Sequence, residues 1–128
     1  MEDSGRATDE HTPDGIDLGR ANAARMYDYL LGGAHNFAID REHVATLLRA
    51  NPEVELLARS NRAFLGRLVR WCVARGIDQF LDLGAGVPTV GNVHEVARTV
   101  APDARVAYVD VEPGRWLTAA RSSPTSSG

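Results

Sequence analysis

The stretch that most limits how this chain can fold runs from residue 77 to residue 110, where the apolar pattern changes period twice. Ile77-Asp78-Gln79-Phe80-Leu81-Asp82-Leu83 is short, rich in apolar residues and closed by glycines, as a buried strand is. The turn Gly84-Ala85-Gly86-Val87-Pro88-Thr89 leads into a segment whose Val93, Val96, Ala97 and Val100 recur at helical spacing, and Pro102-Asp103 ends it. Arg105-Val106-Ala107-Tyr108-Val109-Asp110 then reads as a second strand. Strand, helix and strand in that order predict a right-handed parallel crossover, and therefore an α/β protein.

The same stretch carries the chemistry. Asp82-x-Gly84-x-Gly86 sits where the first strand meets the helix, and Asp110 closes the second strand. An isolated Gly-x-Gly marks no more than a turn needing positive φ. Between two parallel strands, the glycines let the backbone approach a ligand, and the second acid can accept hydrogen bonds from a ribose diol. An adenosine-containing ligand is expected. A dinucleotide fingerprint places a third glycine beside the pyrophosphate, and here Thr89 stands in that place, preceded by Pro88, which has no N–H to give. S-adenosylmethionine has no phosphate to seat, and Asp82 is placed to orient its ammonium; the plainer alternative for Asp82 is a solvated acid at the loop mouth. An NAD-dependent oxidoreductase is the weaker reading on both the Thr89 position and the absence of a substrate domain.

Ahead of this unit, Ala23, Met26, Tyr27, Leu30 and Leu31 form a short amphipathic helix stopped by Gly32-Gly33. A second helix is expected from near Asp40, ending before Asn51-Pro52. A third has Asn51 as N-cap, Pro52 in its first turn, and Val54, Leu57, Phe64, Leu65, Leu68 and Cys72 as its apolar stripe. The expected organisation is a flexible acidic arm over residues 1–20, a helical cap over 21–76, a partial Rossmann-like cofactor-binding unit over 77–121, and a disordered serine-rich tail over 122–128. The net charge of −3 and the dispersal of its arginines leave no block suited to a nucleic-acid backbone, and no apolar run suits a membrane, so a cytoplasmic protein is expected. Cys72 is the one cysteine, and the histidines lack metal-ligand spacing, so no metal site is expected. His94 reads as a helix-surface residue rather than a base.

Residues 25–33 (RMYDYLLGG), 36–42 (NFAIDRE), 61–65 (NRAFL), 80–89 (FLDLGAGVPT) and 91–97 (GNVHEVA) together resemble a family of bacterial S-adenosylmethionine-dependent methyltransferases once classed as a domain of unknown function. The likeness runs from about Ala21 to Pro113. It implies the N-terminal half of a class I methyltransferase fold with a helical cap, using S-adenosylmethionine on an acceptor the sequence does not specify. Family members are longer and commonly carry charged residues where Ala34 and His35 stand, and Asn-Asp where Val111-Glu112 stand. The serine-rich ending is expected of a truncated copy, with exposed strand edges inviting self-association.

Two further groups admit two readings each. Asn36, Asp40 and Arg41 after Gly32-Gly33 form either a polar lip over the cofactor, which would make Asn36 a binding residue, or an ordinary helix cap with a surface charge pair. Asn61 and Arg62 interrupt the apolar stripe and either face the cofactor cleft or are solvated. The functional alternative to an enzyme is a non-catalytic cofactor-binding remnant or interaction module.

Overall fold

The computed structural model describes residues 15–111, arranged as α1 (Ala23–Leu30), α2 (Ala38–Ala50), α3 (Val54–Val73), β1 (Gln79–Leu83), α4 (Val93–Arg98) and β2 (Arg105–Val109). The expected acidic arm up to Asp14, the end of the expected cofactor unit over residues 112–121 and the serine-rich tail lie outside those residues. The two strands pair in parallel from Gln79 opposite Arg105 to Leu83 opposite Val109. The α/β crossover is present, with a small parallel sheet.

Local chemistry sets the helix ends. Asn22 caps α1, its side-chain oxygen accepting from Ala24 N at 2.8 Å and Arg25 N at 3.2 Å. At the other end the consecutive glycines have separate duties. Gly32 adopts φ +78°, the left-handed conformation that closes a helix. Gly33 is required for space, because a Cβ there would lie 1.9 Å from Asp28 Oδ1. Helix α2 begins two residues before the expected Asp40, since the Asp40 carboxylate reaches back to accept from Phe37 N at 2.9 Å and so belongs to the first turn. Asn51 does not cap α3 directly. It accepts from Glu53 N at 3.2 Å in a turn that delivers the chain to Val54.

Helix α3 is the spine between two apolar clusters. Its first half joins Leu30, Leu31 and Val44 through Ala58 and Val54, and its second half joins Val93, Ala97 and Ala104 through Leu65, Val69 and Val73. This buried line keeps Val54 and Leu65 of the predicted stripe but not the others: Leu57 is 69% exposed, Phe64 56% and Leu68 43%, and Cys72 is only partly buried. The helix is apolar on two sides, and packing chose the side carrying the smaller residues Ala58 and Gly66, which allow closer approach. Val100 is likewise exposed because α4 stops at Arg98.

Phe80, Val106 and Tyr108 turn one sheet face towards α3 and α4. The alternate residues Leu81 (64% exposed), Leu83 (69%) and Val109 point the other way, and no described element covers them.

Arg25 and Asp40 form a buried ion pair at 2.8 Å, with side chains almost wholly inaccessible. It survives burial because its remaining polar atoms are also satisfied: Asn22 N donates to Asp40 Oδ1 at 2.9 Å, and Arg25 Nη2 donates to Arg20 O at 2.7 Å. Burial alone would raise the Asp40 pKa, but the hydrogen bonds from Arg25, Asn22 N and Phe37 N outweigh it and hold the carboxyl below its ordinary value.

Candidate functional site

A cleft of about 380 Å³ opens between the helices and the carboxyl ends of the strands. Ala23, Ala24 and Tyr27 of α1 and Asn61, Arg62 and Leu65 of α3 form one wall. Asp82, Gly84, Ala85, Gly86, Val87, Thr89 and Asp110 form the other.

The glycine turn is built by its backbone. Gly84 and Gly86 have φ of +67° and +69°, which side-chain-bearing residues adopt only at a cost. Gly86 has a second constraint, because a Cβ there would lie 3.2 Å from Ala24 Cβ. The glycine therefore lets α1 close against the turn. Gly84 N donates to Val109 O at 2.8 Å, extending the strand pairing, and Gly86 N donates to Asp110 Oδ2 at 2.6 Å. Asp110 thus ties the glycine turn to the end of β2 while lining the cleft.

The following helix start is already occupied by the protein's own groups. Asn92 N donates to Glu95 Oε2 at 2.8 Å, and His94 N donates to Tyr108 Oη at 3.0 Å. Asn92 also clamps Thr89, accepting from Thr89 N at 3.2 Å and donating to Thr89 O at 2.7 Å. The bond between Asn92 N and Glu95 belongs to the capping box of α4, and none of Asn92, His94 and Glu95 lines the cleft. His94 packs edge-on to Tyr108 and hydrogen-bonds its hydroxyl, outside the residues that line the cleft.

Of the residues picked from sequence, Asp82, Gly84, Gly86 and Asp110 meet in this cleft, and Asn36 does not. Asn36 Nδ2 instead donates to Asp28 Oδ2 at 2.8 Å and to Gly33 O at 3.0 Å, while its Oδ1 accepts from Arg41 at 3.0 Å. Its amide is consumed in bracing the loop after α1, around a carboxylate that also accepts from His35 N at 2.8 Å. Asn61 and Arg62 both line the cleft, Asn61 while remaining exposed and Arg62 half-buried. Tyr27 was missed because its position in the α1 pattern marks it as a core residue, whereas its ring also forms cleft wall. Among the described residues no group of three or more His, Cys, Asp or Glu side chains is placed to hold a metal ion, and no helix is long and apolar enough to cross a membrane.

The profile of the S-adenosyl methyltransferase family matches residues 9–123. No curated protein matches the chain. Among solved structures, a candidate methyltransferase from Thermobifida fusca is 46% identical with a TM-score of 0.78, the match covering 88% of this chain and 42% of that one. A DUF574 family protein from Streptomyces avermitilis is 38% identical with a TM-score of 0.73, covering 80% of this chain and 40% of that one. The chain spans less than half the length of either protein. With most of its length matched by the family profile and its fold shared with these structures, the chain belongs to the S-adenosyl methyltransferase family.

Proposed function

We propose that the chain binds S-adenosylmethionine in the cleft between its helices and the strand ends, as the cofactor-binding part of a Rossmann-like class I methyltransferase, with residues 21–76 as the cap and the segment from residue 77 as the cofactor unit. The observation that carries this is the meeting of the Gly84–Gly86 turn with Asp82 and Asp110 in one cleft, the turn and Asp110 joined by the Gly86 N hydrogen bond. The volume lies within the ordinary range of small-molecule sites, roughly 300–1,000 Å³.

The donor set matches the ligand's chemistry. Asp110 lines the cleft at the end of β2 and is the acid suited to ribose hydroxyls. Asp82 is the acid suited to the ammonium. Thr89 in the place of a dinucleotide fingerprint's third glycine, after a proline with no N–H, disfavours a pyrophosphate and with it NAD. When bound, the cofactor would supply a methyl group on an electrophilic sulfonium. The chain's residues would fix the adenosyl ligand, turn the methyl towards an acceptor and exclude water, which are contributions of orientation rather than of proton transfer. No base is assigned, because the need for one depends on the acceptor.

Titration calorimetry with S-adenosylmethionine, S-adenosylhomocysteine and NAD tests this reading. Binding of the first two above NAD is expected, and tighter NAD binding would overturn it. One observation favours a second reading, an interaction module: the face of Leu81, Leu83 and Val109, which no described element covers, is apolar surface of the kind that partners or further copies bury. Concentration-dependent association without binding of any of the three ligands would favour that alternative.

A further inference from the structure

We propose that Arg62 and Thr89 form a carboxylate subsite in the cleft, receiving the amino-acid end of the adenosyl ligand; this rests on the cofactor reading above. Among the described residues lining the cleft, Arg62 is the only cation, set with the acids Asp82 and Asp110. The ligand carries an ammonium, a diol and one carboxylate. The acids serve the first two, and the carboxylate is left to the guanidinium.

Both side chains carry an unmet donor. Arg62 Nε and Thr89 Oγ1 are buried with no hydrogen-bond partner. Native proteins keep few such atoms, and both belong to residues that line the same cleft, which points to a group drawn in against them there. Each side chain is also held in place. The Arg62 guanidinium lies 5.6 Å from the centroid of the Tyr27 ring, and Tyr27 is fixed by its hydroxyl donating to Ala58 O at 3.3 Å and accepting from Asn61 Nδ2 at 3.1 Å. The Arg62 stem passes Gly91, where a Cβ would lie 3.9 Å from Cδ, and Nη1 makes a long 3.4 Å contact to Gly91 O. Thr89 is clamped on both backbone sides by Asn92. A forked guanidinium oriented by its cation–π contact is suited to a planar carboxylate, and a hydroxyl in the same cleft supplies a further donor.

The test compares S-adenosylhomocysteine with its decarboxylated analogue, which keeps the adenosine, the thioether and the amine, by calorimetry on the full 128-residue chain. The wild-type chain should prefer the carboxylate-bearing ligand by roughly ten- to a hundredfold, the range expected of hydrogen bonds to a charged group. Arg62→Met should abolish that preference by weakening S-adenosylhomocysteine alone, Arg62→Lys should restore part of it, and Thr89→Val should reduce it. Equal weakening of both ligands would show that Arg62 only braces Tyr27 against the Gly91 loop, and an unchanged preference would remove it from the subsite; either result overturns the proposal. Should Arg62→Met fail to fold, the wild-type preference and Thr89→Val still decide, since absence of preference in the wild type is also fatal. A wild-type chain that binds neither ligand instead sinks the cofactor reading and this inference together, an outcome distinct from tight binding without carboxylate preference.

Discussion

Replacing Gly33 by alanine places a methyl carbon 1.9 Å from Asp28 Oδ1 and 2.5 Å from its Cγ. Carbon and oxygen in contact need more than 3 Å or so, comparable to the ~3.5–4.0 Å optimum of carbon pairs, so the fully buried carboxylate must move. Moving it disturbs the bonds from His35 N and Asn36 Nδ2, both 2.8 Å. Overpacking costs about 1–3 kcal/mol and each hydrogen bond to a charged group contributes about 1.5–3 kcal/mol, part of which returns if the loop opens to water. A loss of roughly 3–5 kcal/mol follows from those terms. Gly32→Ala, with nothing within 4 Å of its added Cβ, should cost only the left-handed strain of about 1–2 kcal/mol. Urea denaturation followed by far-ultraviolet circular dichroism measures both. Asp28→Ala removes the obstruction, so the double variant Asp28→Ala/Gly33→Ala should be little less stable than Asp28→Ala alone. A Gly33→Ala variant no worse than Gly32→Ala, or strictly additive losses in the pair, would refute the close-approach reasoning.

The Asp40 carboxyl is held below its ordinary pKa, so the stability it contributes is present above the unfolded value near 4 and is lost as pH falls through the lower folded value. Asp40→Asn should cost about 3–5 kcal/mol at neutral pH by leaving Arg25 buried without its counter-charge, and should flatten the acid limb of a stability-against-pH curve measured in urea; an unchanged acid limb would assign that slope to other groups. Asp110→Ala should weaken S-adenosylhomocysteine binding by roughly ten- to a hundredfold in calorimetry, and undiminished affinity in a folded variant would remove Asp110 from the site.

The order of elements was legible because each boundary carries its own local chemistry: glycines after α1 and α3, and a period change at the start of β1. The glycine turn and the two strand-end acids were legible for the same reason, since contiguous residues and one crossover bring them together. The packed side of α3 was not. Periodicity finds an apolar side of a helix, but with Leu57, Phe64 and Leu68 on one side and Ala58, Leu65 and Val69 on another, only the tertiary partners select between them. The role of Asn36 was hidden by Asp28, an acid that reads as the polar side of α1 yet lies fully buried as the hub of the next loop. Gly33 was the available clue, being the second of a glycine pair in which one residue already suffices to end the helix.

The most direct test of the proposed site is amide nuclear magnetic resonance of the isotope-labelled chain titrated with S-adenosylhomocysteine. The Gly86 amide, bonded to Asp110, should shift saturably together with those of Gly84, Thr89 and Asp110, while amides along α2, none of whose residues lines the cleft, should move less. Shifts absent at high ligand concentration, or concentrated away from the glycine turn, would contradict binding of the adenosyl ligand in this cleft.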